Sequence, residues 1–167
     1  QCFYVEEAGR ISPLRFAEAL ADAMAALERR LPRRPVAGEE WAEESFWQRW
    51  RFLESQGRAR IFGRHVIFQR ASRLEPSGLR RVVFVAPLRR ISDLRQHAGE
   101  WLPRLACVAA SDGSSLARLE RVLGTDGGIR YCALGAIHQP PPWWRNGGVN
   151  LLGTLDRLVP VSPTVWS

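Results

Sequence analysis

Apolar residues along the first third of the chain keep a helical interval. Phe16, Leu20, Met24, Leu27 and Leu31 recur every three or four residues, which places them on one face of a long helix. Ser12 followed by Pro13 supplies an N-cap and a first helical residue. Pro32 and Pro35 stop the helix. A second helix is predicted from Ala37 to Gln56, ending at Gly57, with Phe46, Trp50 and Leu53 on its inner face. Its acids (Glu39, Glu40, Glu43, Glu44) precede Arg49 and Arg51, the order favoured by the helix dipole.

Elsewhere the pattern shortens to that of strands. Phe3-Tyr4-Val5 reads as one strand. Arg60-Ile61-Phe62 and Val66-Ile67-Phe68, flanking Gly63-Arg64-His65, read as a hairpin. Val82 to Ala86 is an unbroken apolar run, as expected of a strand buried on both faces. Ser92-Asp93 is then expected to cap a helix with Leu94, Ala98, Trp101 and Leu102 inward. Leu105 to Ala109 is the next strand. Ser114 caps a helix bearing Leu116, Leu119 and Leu123, closed by Gly124, and Ile129 to Ala133 follows as a strand. Asn150 opens a last helix with Leu151, Leu155 and Leu158, and residues 70–81 read as a loop.

Strand and helix alternating at these lengths predict an α/β fold with right-handed crossovers. The expected architecture is a three-layer parallel sheet with flanking helices and an added β-hairpin. In it, the strands at 82–86, 105–109 and 129–133 run side by side in one direction. The length of 167 residues suits a single domain with a real core.

Charge and cysteine content narrow the picture. The net charge is +7, and all 24 basic residues are arginine. They fall in scattered pairs, such as Arg29-Arg30, Arg80-Arg81 and Arg89-Arg90, which argues against one dedicated nucleic-acid stripe. No apolar run reaches the length of a membrane-spanning helix. The three cysteines, Cys2, Cys107 and Cys132, show no ligand-like spacing. They read as buried thiols of a reducing cytoplasm, with no metal site. His65 and His97 read as solvated. Phosphate-cradling glycine motifs, nucleophile elbows and zinc-helix motifs are missing from the sequence.

The segment Pro140-Pro141-Pro142-Trp143-Trp144-Arg145-Asn146-Gly147-Gly148 stands apart. Its prolines fix extended backbone, so both tryptophans lie on a loop. It is similar to the late Pro-Pro-x-Trp-Arg segment of the acyl-CoA reductase family, the fatty-acid reductases of the bacterial bioluminescence type. Gln1-Cys2-Phe3-Tyr4-Val5-Glu6-Glu7 with the helix from Phe16 resembles the strand and helix after that family's catalytic loop. The β-α-β-α-β stretch from Val82 resembles that of the aldehyde dehydrogenase superfamily, to which the family belongs.

The resemblance implies a catalytic-domain half of an enzyme that reduces an acyl-CoA or acyl-carrier thioester to a fatty aldehyde. NADPH is the implied reductant, bound mainly by an upstream domain. A cysteine thiolate would form an acyl-enzyme, and a thiohemiacetal would then collapse to aldehyde. Two readings of Cys2 stand: the nucleophile itself, or a strand-edge residue just after a nucleophile that precedes Gln1. His138 is a proton donor to the thiohemiacetal oxygen, a group that polarises the thioester, or a loop histidine bonded to backbone. Trp143 and Trp144 line an acyl channel, or pack against the domain or a partner subunit. Arg145 grips the phosphates of CoA or a carrier's phosphopantetheine, or forms a surface ion pair. The fragment is expected to have little activity alone. The competing reading is a basic α/β module that binds nucleic acid or another anionic partner.

Overall fold

A computed structural model describes residues 1–33, 38, 40–71, 73–75, 81–124 and 128–141. The chain divides into two compact units, Gln1–Gly99 and Glu100–Ser167.

The first unit holds β1 (Cys2–Glu6), α1 (Pro13–Arg30), α2 (Glu40–Ser55), β2 (Ala59–Phe62), β3 (Val66–Gln69), β4 (Val83–Leu88) and a short α3 (Leu94–Ala98). Its sheet has the order β1-β4-β3-β2. β4 runs parallel to β1 and to β3, while β2 and β3 form the expected antiparallel hairpin.

Alternation along the strands sorts the core into two layers. Val83, Val85 and Val66 meet α1 through Ala17, Phe16 and Leu20. Phe84 and Ile67 meet α2 through Trp47 and Trp50. The sheet therefore lies between two helices, because each buried strand carries apolar side chains on both faces. Ser12 caps α1, its Oγ accepting from the Arg15 N–H at 3.3 Å. The sequence placed Phe46, Trp50 and Leu53 inward on α2; the structure adds Trp47, only 5% exposed.

The predicted helix after Ser92 is broken up. Residues Ile91–Asp93 form a 3₁₀ turn, α3 covers five residues, and Gly99–Arg104 is 3₁₀ again. Gly99 has φ of 49°, a backbone state that ends an α-helix. Trp101 and Leu102 consequently do not share a helical face with Leu94.

The second unit contains β5 (Cys107–Ala110), α4 (Gly113–Leu123) and β6 (Arg130–Ala133). β5 and β6 are parallel neighbours, with α4 as the crossover. α4 is capped by Asp112 rather than Ser114. The Asp112 carboxylate accepts from the Ser115 N–H at 2.8 Å and from the hydroxyls of Ser114 and Ser115 at 2.6 and 2.8 Å. A carboxylate with several donors outcompetes a single hydroxyl for that position.

The fold is α/β with a parallel-rich sheet and flanking helices. One part of the expected arrangement is corrected. The strand at 82–86 was expected beside the strand at 105–109, yet β4 has β1 and β3 as its neighbours. Phe84 and Val85 are registered with β1 on one side and β3 on the other. β1 occupies one edge of β4 from Phe84 to Leu88, and β3 the other from Val83 to Val85. β5 and β6 pair in a sheet of their own.

Candidate active site

Cys2 opens β1 and is registered with Phe84 of β4. Its side chain packs against the core beneath Trp47 and Trp50. Tyr4, two residues on, shares the same strand face and a hydrogen bond with the Cys2 thiol. Burial pushes that thiol up to about 12, with the Tyr4 hydrogen bond in partial opposition. Burial likewise pushes the Tyr4 phenol upward, and the neighbouring thiol adds to the shift. The Tyr4 ring also stacks on His97, with centroids 6.0 Å apart and planes 10° from parallel. A thiol, a phenol and an imidazole are thus gathered along one side of β1. The thiol among them is held in its neutral form, a poor state for attack on a thioester.

Both histidines read as solvated are set differently. His97 is half-buried against Tyr4. His65 is only 7% exposed. Its carbonyl accepts from the Val83 N–H at 2.9 Å, pinning the hairpin turn to β4, while its Nδ1 has no hydrogen-bond partner among the described residues. His65 also lines a groove of about 720 Å³ shared by α1 and the hairpin. Arg15, Glu18 and Asp22 contribute charges to that groove, and Arg15 pairs with Glu18 at 2.9 Å. Charged walls suit a polar guest better than an alkyl chain.

His138 belongs to the second unit. It is exposed on a turn that follows β6, after Gly135 with φ of 89°. The turn is closed by the Gln139 N–H donating to the Ala136 carbonyl at 3.1 Å. The Arg130 guanidinium holds it from inside, donating to the carbonyls of Ala136 and Ile137. The turn leaves the carboxyl end of a parallel strand pair, the end at which α/β sheets gather their ligands. At that same end, the N-terminus of α4 is filled by the Asp112 carboxylate. Its four serine and backbone donors hold the carboxyl well below the usual carboxylate range.

A family described as acyl-CoA reductase (LuxC) matches residues 1–159. The chain belongs to the acyl-CoA reductase family. No curated protein and no solved structure matches it significantly.

Of the residues that the sequence marked for acyl-CoA reductase chemistry, the structure describes Cys2 and His138, which fall in different units. Trp143, Trp144 and Arg145 lie outside the described residues, as does the helix expected after Asn150. Sequence reasoning missed Tyr4 and His97. Tyr4 was legible as a same-face partner of Cys2, two residues on along one strand; its contact with His97 depends on the fold. It also missed that Cys107 and Cys132 come together. Their Sγ atoms are 3.5 Å apart, and both residues are half-buried rather than buried. Burial, and then the hydrogen bond to Cys132, push the Cys107 thiol up to about 11, with Arg130 opposing. Among the described residues no three His, Cys, Asp or Glu side chains form a metal-binding group, and no helix is long and apolar enough to cross a membrane.

Proposed function

We propose that this chain is part of the catalytic domain of an NADPH-dependent reductase of long-chain acyl thioesters, and that it serves the acyl side of the reaction. The family match over residues 1–159 carries the reading. NADPH supplies the hydride when bound. Its binding is not assigned to the described residues. A pyrophosphate needs a glycine-lined turn and free N–H groups at a helix N-terminus, and the turns that lead from β1 into α1 and from β5 into α4 differ. Ser12 caps α1, and the Asp112 carboxylate covers the start of α4 with like charge.

The acyl group is accepted by a cysteine thiolate. Cys2 is assigned a packing role instead, because a thiol held neutral to about 12 by burial offers little thiolate near neutral pH. His138 is assigned the proton that goes to the thiohemiacetal oxygen. It is exposed, and Arg130 and the Gln139–Ala136 hydrogen bond fix the turn that carries it.

The experiment uses the whole polypeptide that carries these residues. It is incubated with a long-chain acyl-CoA without NADPH, and its intact mass is measured. A hydroxylamine-labile acyl adduct is expected, and Cys2→Ser should keep it. Absence of any adduct contradicts the reductase reading. Loss of the adduct in a folded Cys2→Ser variant moves the nucleophile to Cys2.

A further inference from the structure

Cys107 and Cys132 lie 25 positions apart, with α4 between them. The parallel register of β5 and β6 sets Cys107 opposite Arg130 and Cys132 opposite Ala109. The two cysteines are thus offset by two residues. That offset keeps both side chains on one face of the pair, since strand side chains alternate with period two. The thiols lean along the diagonal until their sulfurs are 3.5 Å apart. Both residues are half-buried, so the pair is reachable from solvent.

We infer that Cys107 and Cys132 form a dithiol site for a soft, thiophilic metal ion. Metal–thiolate bonds of about 2.3 Å span sulfurs at the observed separation with an angle of roughly 100° at the metal. Binding therefore needs no movement of either strand. Disulfide closure is harder. Neighbouring strands lie about 4.8 Å apart and rise about 3.3 Å per residue, which sets residues offset by two about 8 Å apart at Cα, whereas disulfides hold theirs within about 4.4–6.8 Å. Oxidation would have to shift the backbone; chelation uses the spacing that is present.

The donor set also selects the ion. Among the described residues no third His, Cys, Asp or Glu joins the pair in a metal-binding group. A closed four-ligand zinc centre is therefore not formed by these residues. The site suits an ion that accepts few ligands and prefers sulfur, such as copper(I), with its remaining positions open to water or a small thiol. Each thiol gives up its proton to solvent as its sulfur binds the ion. Arg130, whose charge favours the Cys107 thiolate, offsets part of the negative charge that results. The site is independent of the acyl chemistry, because it requires neither thioester nor reductant.

Cadmium(II) is the probe, added to fully reduced protein in thiol-free buffer under anaerobic conditions. The ultraviolet thiolate-to-cadmium charge-transfer band should saturate at about one equivalent. It should be lost in Cys107→Ser and in Cys132→Ser, and kept in Cys2→Ser. Phenylarsine oxide gives a readout on the unaltered protein, since one equivalent should shield two thiols from a thiol-titrating reagent. A band that survives in both serine variants overturns the site, as does shielding of fewer than two thiols. A ready Cys107–Cys132 disulfide, found by peptide mass mapping after diamide treatment, also overturns it, because the pair is then a redox couple.

Discussion

Cys2 shows how burial decides what a thiol can do. The residue sits where a catalytic cysteine was one of two readings, beside Gln1 at the head of a strand. Its side chain packs under Trp47 and Trp50, which disfavours the thiolate. Cys2 is half-buried like the other two cysteines, so its slowness should come from the disfavoured thiolate: folded protein should react with iodoacetamide at Cys2 more slowly near neutral pH than protein unfolded in urea, and peptide mass mapping reads the difference. The sign of the pH dependence follows. The thiol's value rises from 9.0 to about 12 on folding. The unfolded chain therefore ionises first and gains from doing so. The contribution of Cys2 to stability is complete below about pH 9 and is lost as pH rises toward 12. Cys2→Ala should flatten that part of an alkaline unfolding profile. His138 is the opposite case, an exposed side chain on a well-held turn. His138→Asn should lower kcat by about 10²-fold with little change in KM. An unchanged kcat would leave His138 as a loop histidine. Its position was legible in the sequence, since it follows a Leu134-Gly135 break. The Arg130 bonds that fix its turn were not, because they join residues six and seven positions apart through a guanidinium.

Elements were legible wherever local pattern sufficed. The four-four-three spacing on α1, the hairpin around Gly63 and the apolar run of β4 each carry their own periodicity. What escaped depended on partners. The neighbours of β4 are set by which strands reach its two edges, and no local interval encodes that. The short α3 was over-extended because Gly99 reads as a neutral interruption until its positive φ is known. The thiol pair is joined by a register across a crossover, so a spacing of 25 residues carries no signal. α2 offers the cleanest energetic test. Trp50 is 2% exposed, and its ring lies 4.9 Å from that of Phe84 on the sheet. Trp50→Ala should cost about 3–5 kcal/mol. Phe52, on the same helix but 61% exposed, should cost less than about 0.5 kcal/mol when cut to alanine. Equal costs in urea unfolding would mean that α2 does not cover the sheet.

At the scale of the molecule, composition left two readings open, and particular residues weigh between them. Many arginines that give the chain its +7 charge are engaged in ion pairs. Glu28 meets both Arg33 and Arg81, Glu43 meets Arg64, and Glu75 meets Arg49. The family was legible in the sequence because one segment, Pro140 to Gly148, has an order of residues that packing alone rarely demands. Residues 142–148 of that segment lie outside the described residues, so the roles of Trp143, Trp144 and Arg145 rest on the sequence. Reduction of an acyl thioester is the claim on which the roles of His138 and the acyl-accepting cysteine depend. Its most direct test mixes the whole polypeptide with a long-chain acyl-CoA and NADPH, and quantifies trapped fatty aldehyde against NADPH consumed. Aldehyde formed in step with NADPH, absent when either is omitted, is the predicted result. NADPH left untouched and no aldehyde, with folded protein and several chain lengths tried, would contradict the account.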